Sequence, residues 1–352
     1  MQSGSTTLTQ YGLPETVQLY DTDQTTVIKK SVTTYNLDSA YTSRRIIGLP
    51  SMTEAWGKND QTNSLEYVSK MTYNYDEGDF SDSGLNQNIS PVQHDSANYG
   101  ASFVTGRGLL TSTTRWDVTT PTNAANAITS SVKYNTAGAV VAQITPWDGT
   151  QTRTTRIGYA DNWNAAGLPA NTYAYPTTLT DPAGASLGDP AHSSQVKYRY
   201  DIGANVWAQS PAPAGNTVGK TTERFFDSLG RLQKDLIVNT GAYMRYEYPT
   251  NGIQSKVFST IIDTNNNGAD SADEVLAESW FDGSGRVRKS RTEHPGSVGG
   301  FAATLAEYDL LGRTKRTTVP TEVDLSWNPA GDDYRGMNGS DYIWLWNRQE
   351  YS

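Results

Sequence analysis

The chain has 352 residues, with 28 Lys and Arg against 37 Asp and Glu, a formal charge of −9, no cysteine, and charged residues at only 18%. This excludes a long helical bundle, which needs Ala, Glu, Lys and Leu in bulk, and also thiol chemistry, zinc fingers and disulfide staples. The acid excess, with no Lys/Arg run, argues against nucleic acid as a partner, while 9 Trp, 21 Tyr and 7 Phe are enough large side chains to offset the entropy of ordering.

The opening Met1-Gln2-Ser3-Gly4-Ser5 has neither a basic start nor an apolar stretch, so no export signal is expected within this segment. The longest apolar runs, such as Leu236-Ile237-Val238, are too short to span a bilayer. Residues 1–130 read as degenerate β repeats, with an aromatic anchor at Tyr75-Asp76. Residues 131–320 carry the repeat openly. Tyr134-Asn135-Thr136-Ala137-Gly138 comes first, then degraded copies at Tyr159-Ala160-Asp161 and Tyr200-Asp201. Clear copies follow: Phe226-Asp227-Ser228-Leu229-Gly230-Arg231, Phe281-Asp282-Gly283-Ser284-Gly285-Arg286 and Tyr308-Asp309-Leu310-Leu311-Gly312-Arg313. Tyr246-Glu247-Tyr248 stands where a middle anchor belongs. Tyr134 to Tyr159, Tyr200 to Phe226 and Phe281 to Tyr308 are about 25 to 27 residues apart, the length of two strands and their turns. Residues 321–352 read as a truncated final repeat, with Tyr351 as an anchor aromatic that stops before its glycine.

The unit is a hairpin. Thr221 to Phe226 alternates before the anchor and Arg231 to Val238 alternates after it, which is period two on both sides of a turn. Asp can bond the turn backbone, and Gly can take the positive φ that closes a type I turn with a bulge. The arginine just past the turn lies near the aspartate, where an exposed ion pair contributes little by itself. A lone hairpin is unstable, so stacked neighbours must bury the aromatics together. The expected fold is all-β, with antiparallel hairpins stacked into a spiralling ribbon or part of a hollow shell.

These anchors, with the Gly215-Asn216 turn and Asp181-Pro182-Ala183-Gly184, resemble the RHS/YD-repeat family. The resemblance implies a spiralling hairpin ribbon that often closes into a hollow shell, as in bacterial RHS toxins, the cocoon of insecticidal toxin complexes, and teneurins. In the bacterial systems it implies a secreted or cell-surface container for a toxic C-terminal domain. The partners it implies are the remainder of a larger RHS polypeptide and its cargo. The chain departs from the family pattern at Asp181, where Asp-Pro-x-Gly lies mid-chain and is followed by Ala185, so the family's aspartate-pair self-cleavage is not expected there.

No catalytic residue stands out. Ala214-Gly215-Asn216-Thr217-Val218-Gly219-Lys220-Thr221 fits a relaxed phosphate loop, but it follows Ser210-Pro211-Ala212-Pro213 and runs into a hairpin, whereas a phosphate loop joins a buried strand to a helix. His94, His192 and His294 are far apart and read as solvated loop residues. Trp116, Trp147, Trp163 and the Trp344-Leu345-Trp346 pair could stack on sugars, making the alternative function a carbohydrate- or cell-surface-binding module. They read more simply as cross-strand packing. An unrecognised hydrolase is a third, weaker reading.

The sharpest local signal is Asp263 to Glu274. It reproduces a twelve-residue calcium loop, with ligands expected from Asp263, Asn265, Asn267, the Ala269 carbonyl and Glu274, Ser271 acting through water, and Gly268 at the sharp turn. Its flanks, Lys256 to Ile262 and Val275 to Glu278, read as strands rather than helices, so one structural Ca²⁺ is weighed against a metal-free Asx-rich turn.

Overall fold

The computed structural model describes residues 3–161, 170–182, 193–213, 216, 218–250, 254–260, 274–294, 296–324, 327 and 344–351. Among these residues the chain is almost entirely β. Helix is confined to four-residue turns at Ser39–Thr42 and Ser96–Tyr99 and three-residue 3₁₀ turns at Ser83–Leu85 and Ala124–Asn126. Every strand pairing among the described residues is antiparallel, most of them between sequence neighbours, so the expected ribbon of hairpins is what the chain forms.

The chain divides into two compact units, residues 1–197 and 198–352. The first runs through β1 (Gly4–Leu8), β2 (Pro14–Tyr20), β3 (Val27–Tyr35), β4 (Pro50–Asn59), β5 (Ser64–Tyr75), β6 (Leu110–Arg115), β7 (Ile128–Tyr134), β8 (Val140–Pro146), β9 (Thr152–Gly158), β10 (Thr178–Thr180) and the start of β11 (Ser193–Arg199). The second continues with β12 (Ala204–Gln209), β13 (Thr221–Phe226), β14 (Leu232–Ile237), β15 (Tyr243–Glu247), β16 (Gln254–Thr260), β17 (Glu274–Phe281), β18 (Val287–Glu293), β19 (Phe301–Tyr308), β20 (Thr314–Thr318), β21 (Thr321–Val323) and β22 (Trp346–Arg348). The sequence divisions at 130 and 320 fall inside these units.

Within each unit the motif turns share one edge of the sheet, because consecutive antiparallel strands return the chain to the same side every second strand. The anchor aromatics Tyr35, Tyr75, Tyr134, Phe226, Phe281 and Tyr308 each sit at a register shift in the strand pairing. That is the bulge expected where a type I turn is closed by a left-handed glycine.

The largest core lies on one face of the second unit. There Trp280, Phe301, Ala303, Leu305, Val323 and Trp327 are buried together, with Leu276, Trp344 and Trp346 packed against them. Alternation puts these strand residues on one face, and Trp327, 2% exposed, covers them. Its ring meets Trp280 edge-on at 6.0 Å and Trp344 at 5.8 Å.

Candidate functional site

Three anchor turns repeat one geometry. Asp227 Oδ1 accepts the backbone N–H groups of Leu229 (2.9 Å) and Arg231 (2.8 Å), and Arg231 Nε donates to Oδ2 at 2.7 Å. Asp282 does the same with Ser284 and Arg286, and Asp309 with Leu311 and Arg313. Gly230, Gly285 and Gly312 have φ of 78°, 78° and 83°. Hydrogen bonds from the arginine hold all three carboxyls below the usual carboxylate range, through the Arg231 backbone at Asp227 and through the arginine side chain at Asp282 and Asp309. Asn135 keeps the turn without an arginine, accepting from Ala139 N at 2.9 Å.

The arginine has a second task. Arg231 lies over the Tyr248 ring at 4.5 Å, Arg286 over Tyr308 at 4.4 Å and Arg313 over Tyr351 at 4.4 Å. Each anchor therefore grips the next aromatic along the edge, and Tyr351 takes the position of an anchor aromatic. The tyrosine hydroxyls lock the same steps: Tyr248 donates to Leu232 O (2.9 Å), Tyr308 to Val287 O (2.8 Å), Tyr134 to Leu110 O (2.8 Å), Tyr75 to Pro50 O (2.9 Å) and Tyr35 to Pro14 O (3.0 Å). Phe226 and Phe281 keep the ring and lose this bond. The turn clamp, the cation over the ring and the hydroxyl on the neighbouring strand form a ladder along one edge, which is a device for holding a ribbon rather than for chemistry.

The first unit contains an anchor turn that the sequence did not single out. Thr9 replaces the aspartate of an anchor, its hydroxyl accepting from Tyr11 N and Leu13 N while Gly12 takes a φ of 77°. Two other turns carry insertions between anchor and glycine. Asn36 N still bonds Leu49 O and Asp76 N still bonds Leu109 O, and Asp76 Oδ1 still accepts from Leu109 N at 2.9 Å. The spacing Thr9-x-x-Gly12 and the Gly48-Leu49-Pro50 and Gly108-Leu109-Leu110 endings were the available signals.

The inserted segments form a cap that buries side chains of its own. Tyr41, Phe80 and Ile89 are buried, and Arg107 donates to the carbonyls of Phe103, Thr136, Tyr99 and Gly100 while stacking on Phe80. Burial, with Asp76 nearby, pushes the Tyr41 hydroxyl up to about 12. Beneath the cap is a polar cavity of about 350 Å³ lined by Glu77, Asp79, Asp82 and Lys133. Ser112 donates to Glu77 at 2.7 Å, and Lys133 bridges to Asp82 at 3.1 Å.

A charged network crosses the core face of the second unit. Glu278, 2% exposed, accepts from Arg291 Nε and Nη2 at 2.5 Å each and lies 3.2 Å from Lys256 Nζ. Arg291, 8% exposed, also reaches the Asp324 and Trp327 carbonyls at 3.4 and 3.5 Å, with the Phe301 ring 4.9 Å away. It thereby pins the segment that carries Trp327. Register pairing of Lys256 with Glu278 and of Glu278 with Arg291 produces this alternation of charge, which no local motif announces.

Of the calcium loop, residues 261–273 lie outside the described residues, including Asp263, Asn265, Asn267, Ala269 and Ser271. Glu274 is described, at the start of β17. Its carboxylate accepts from Arg245 Nε (2.5 Å), Arg245 Nη2 (2.7 Å) and the Tyr243 hydroxyl (2.7 Å), and the arginine holds it below the usual range. Among the described residues no group of three or more His, Asp or Glu is arranged to hold a metal ion.

The tryptophans are mostly packing partners. Trp280 and Trp327 are core, Trp116 donates to Thr72 and lies under Lys70, and Trp56 packs on Tyr67. Trp147, about half exposed at a hairpin tip, stacks on Arg153, while Trp163 lies outside the described residues. Lys220 of the phosphate-loop-like stretch leads into β13 rather than a helix. His94 bonds Ser96, and His192 lies outside the described residues. No helix among the described residues is long and apolar enough to cross a membrane.

No protein-family model matches the chain, and no curated protein matches it. Among solved structures, a crystal structure of TcdB2–TccC3–Cdc42 is matched over 93% of this chain and 18% of that chain, at 8% identity and a TM-score of 0.31. The Photorhabdus luminescens Tc holotoxin pore with a TccC3 variant is matched over 98% and 18%, at 10% identity and a TM-score of 0.26. A TcdB2–TccC3–TEV structure is matched over 99% and 17%, at 12% identity and a TM-score of 0.19. The chain spans less than a fifth of those chains, and likeness at these scores is too slight to build on.

Proposed function

We propose that this chain is a segment of a non-enzymatic RHS/YD-repeat β-scaffold, part of a secreted or cell-surface bacterial protein that encloses or displays a toxin or effector domain. The observation that carries the reading is the shared geometry at Asp227, Asp282 and Asp309: the same carboxylate clamp, the same left-handed glycine and the same arginine over the next anchor aromatic. A motif spent wholly on holding turns and stacking hairpins is what a scaffold needs and what an active site does not. The test is to isolate the full-length parent protein and digest it with a protease, with a separately expressed cargo domain as reference. Cargo protected in the parent and cut when free supports an enclosing shell. Cargo cut equally fast in both, with no ribbon around it by cryo-electron microscopy, overturns enclosure.

The glycan-binding alternative rests on exposed Trp147. A glycan array is expected to be blank, and binding lost in Trp147→Ala would favour that reading instead.

A further inference from the structure

The insertion between Asp76 and Gly108 is not needed to hold the ribbon. Asp76 N reaches Leu109 O across it, and β5 pairs with β6 from Met71 against Arg115 to Tyr75 against Leu110. Ordering so long a segment costs backbone entropy, and a long ordered loop in a compact unit generally carries a function. What this one encloses is the cavity of about 350 Å³, a size that small-molecule sites share. Four carboxylates line it, those of Asp76, Glu77, Asp79 and Asp82, against one lysine, Lys133. Asp76 is filled by the N–H groups of Gly106, Arg107, Gly108 and Leu109, and Asp82 pairs with Lys133. The cap's own guanidinium, Arg107, is spent on four carbonyls. Glu77 Oε2 meets the hydroxyls of Thr111 and Ser112, and Asp79 Oδ1 meets Ser81; the second oxygen of each has no protein donor among the described residues.

An independent sign of a ligand comes from Gln87, which lines the same cavity and is 4% exposed. Its amide nitrogen donates to Tyr134 O at 2.7 Å, and no described group donates to its amide oxygen. That oxygen is not among the polar atoms sealed in protein without a partner, so the space it opens onto is the cavity. A buried acceptor left unmet is costly, and a donor in the cavity relieves the cost.

We propose that the cavity under the cap binds a small organic cation, an alkylammonium or alkylguanidinium group whose N–H donors meet Glu77, Asp79 and Gln87. The excess of carboxylates repels an anion. A bare metal ion fits poorly, because these carboxylates are not gathered as a ligand set and much of the remaining wall is carbon, from Phe80, Val104, Leu109 and Val132. Such a wall takes a short apolar stem out of water. The unmet oxygens are all acceptors, so they call for a head with several N–H donors, and hydrogen bonds between a cation and a carboxylate are the strong kind. Glu77 and Asp79 are exposed while Gln87 is buried. The cation therefore meets the carboxylates at the rim, and the inner donor is taken by Gln87. The same chemical group can arrive as a free amine or as the Lys or Arg side chain of a partner chain. Either way the cap adds a binding role that the turn ladder does not need.

The full chain is titrated calorimetrically at low salt with butylguanidinium chloride, butylammonium chloride, a capped Gly-Arg-Gly peptide and, as a neutral mimic of similar length, pentanol. Saturable one-to-one binding of a small cation, at least about tenfold tighter than pentanol, is expected. Glu77→Gln removes the charge while its amide oxygen can still accept from Ser112, and as an exposed position it should fold like the parent. It should weaken the cations about tenfold or more and leave pentanol unchanged. Gln87→Met removes the inner acceptor and should weaken them too; if it fails to fold, Glu77→Gln decides alone. Asp148→Asn, at a hairpin tip outside the cavity, should change nothing. A peptide that binds as tightly as the free cations supports the site and assigns it to a partner's basic side chain, whereas a peptide excluded while the free cations bind supports it and assigns it to a free amine. No saturable binding of either cation, or equal losses in Glu77→Gln and Asp148→Asn, overturns the proposal.

Discussion

Replacing Glu278 with Gln tests whether the charged network on the core face is an integral part of the second unit. The substitution keeps the shape and removes the charge that Arg291 meets on two nitrogens at 2.5 Å. Lys256, on the network's outer side, is about a third exposed and can turn to water. Arg291 is 8% exposed and fixed to the Asp324 and Trp327 carbonyls, so it cannot. Removing one partner of a buried pair costs about 3–5 kcal/mol, because the other charge is left uncompensated. For a unit of this size roughly 2–4 °C of midpoint is lost per kcal/mol, so thermal unfolding followed by circular dichroism should drop by about 6 to 20 °C. The double variant Glu278→Leu with Arg291→Met removes both charges and should recover most of that loss. It should not recover all of it, since the Asp324 and Trp327 carbonyls lose the donor they hold at 3.4 and 3.5 Å. A Glu278→Gln chain within about 1 kcal/mol of the parent, or a double variant as unstable as the single one, would refute the reasoning.

Three further outcomes are expected. Gly230→Ala should cost about 1 kcal/mol, because a Cβ is forced into the left-handed region and would come within 3.1 Å of Ile202 Cγ2; an unchanged denaturation midpoint would count against the turn geometry. The folded-state carboxyls of Asp227, Asp282 and Asp309 are depressed, so their contribution is present above the unfolded aspartate value of about 3.9 and lost as pH falls through the folded values. Stability between pH 5 and pH 2 should therefore fall less steeply in a triple Asp→Asn variant than in the parent. If residues 263–274 hold one Ca²⁺, melts with calcium and with chelator should differ by about 2.7 kcal/mol at a hundredfold excess over the dissociation constant. Asp263→Ala should erase the difference, and it is the cleaner variant because Glu274 also serves Arg245; identical melts would leave an Asx-rich turn.

The sequence by itself determined the repeat and its turn chemistry. Asp at one place and Gly three residues later dictate a tight turn by local bonding, and the strands expected at Thr221 to Phe226 and around Lys256 are there as β13 and β16. The local clues weakened where the same turn was built from other parts. Thr9 substitutes a hydroxyl for the carboxylate, and the insertions after Asn36 and Asp76 part anchor from glycine in the sequence while leaving them joined in space. What only the tertiary structure decided depends on which strand lies beside which. The arginines over Tyr248, Tyr308 and Tyr351 and the Glu278–Arg291 pair beneath Trp327 are set by register and by chain return. Periodicity fixes the face of a strand to which a residue belongs, but the neighbour across the gap is fixed only when the whole ribbon has paired.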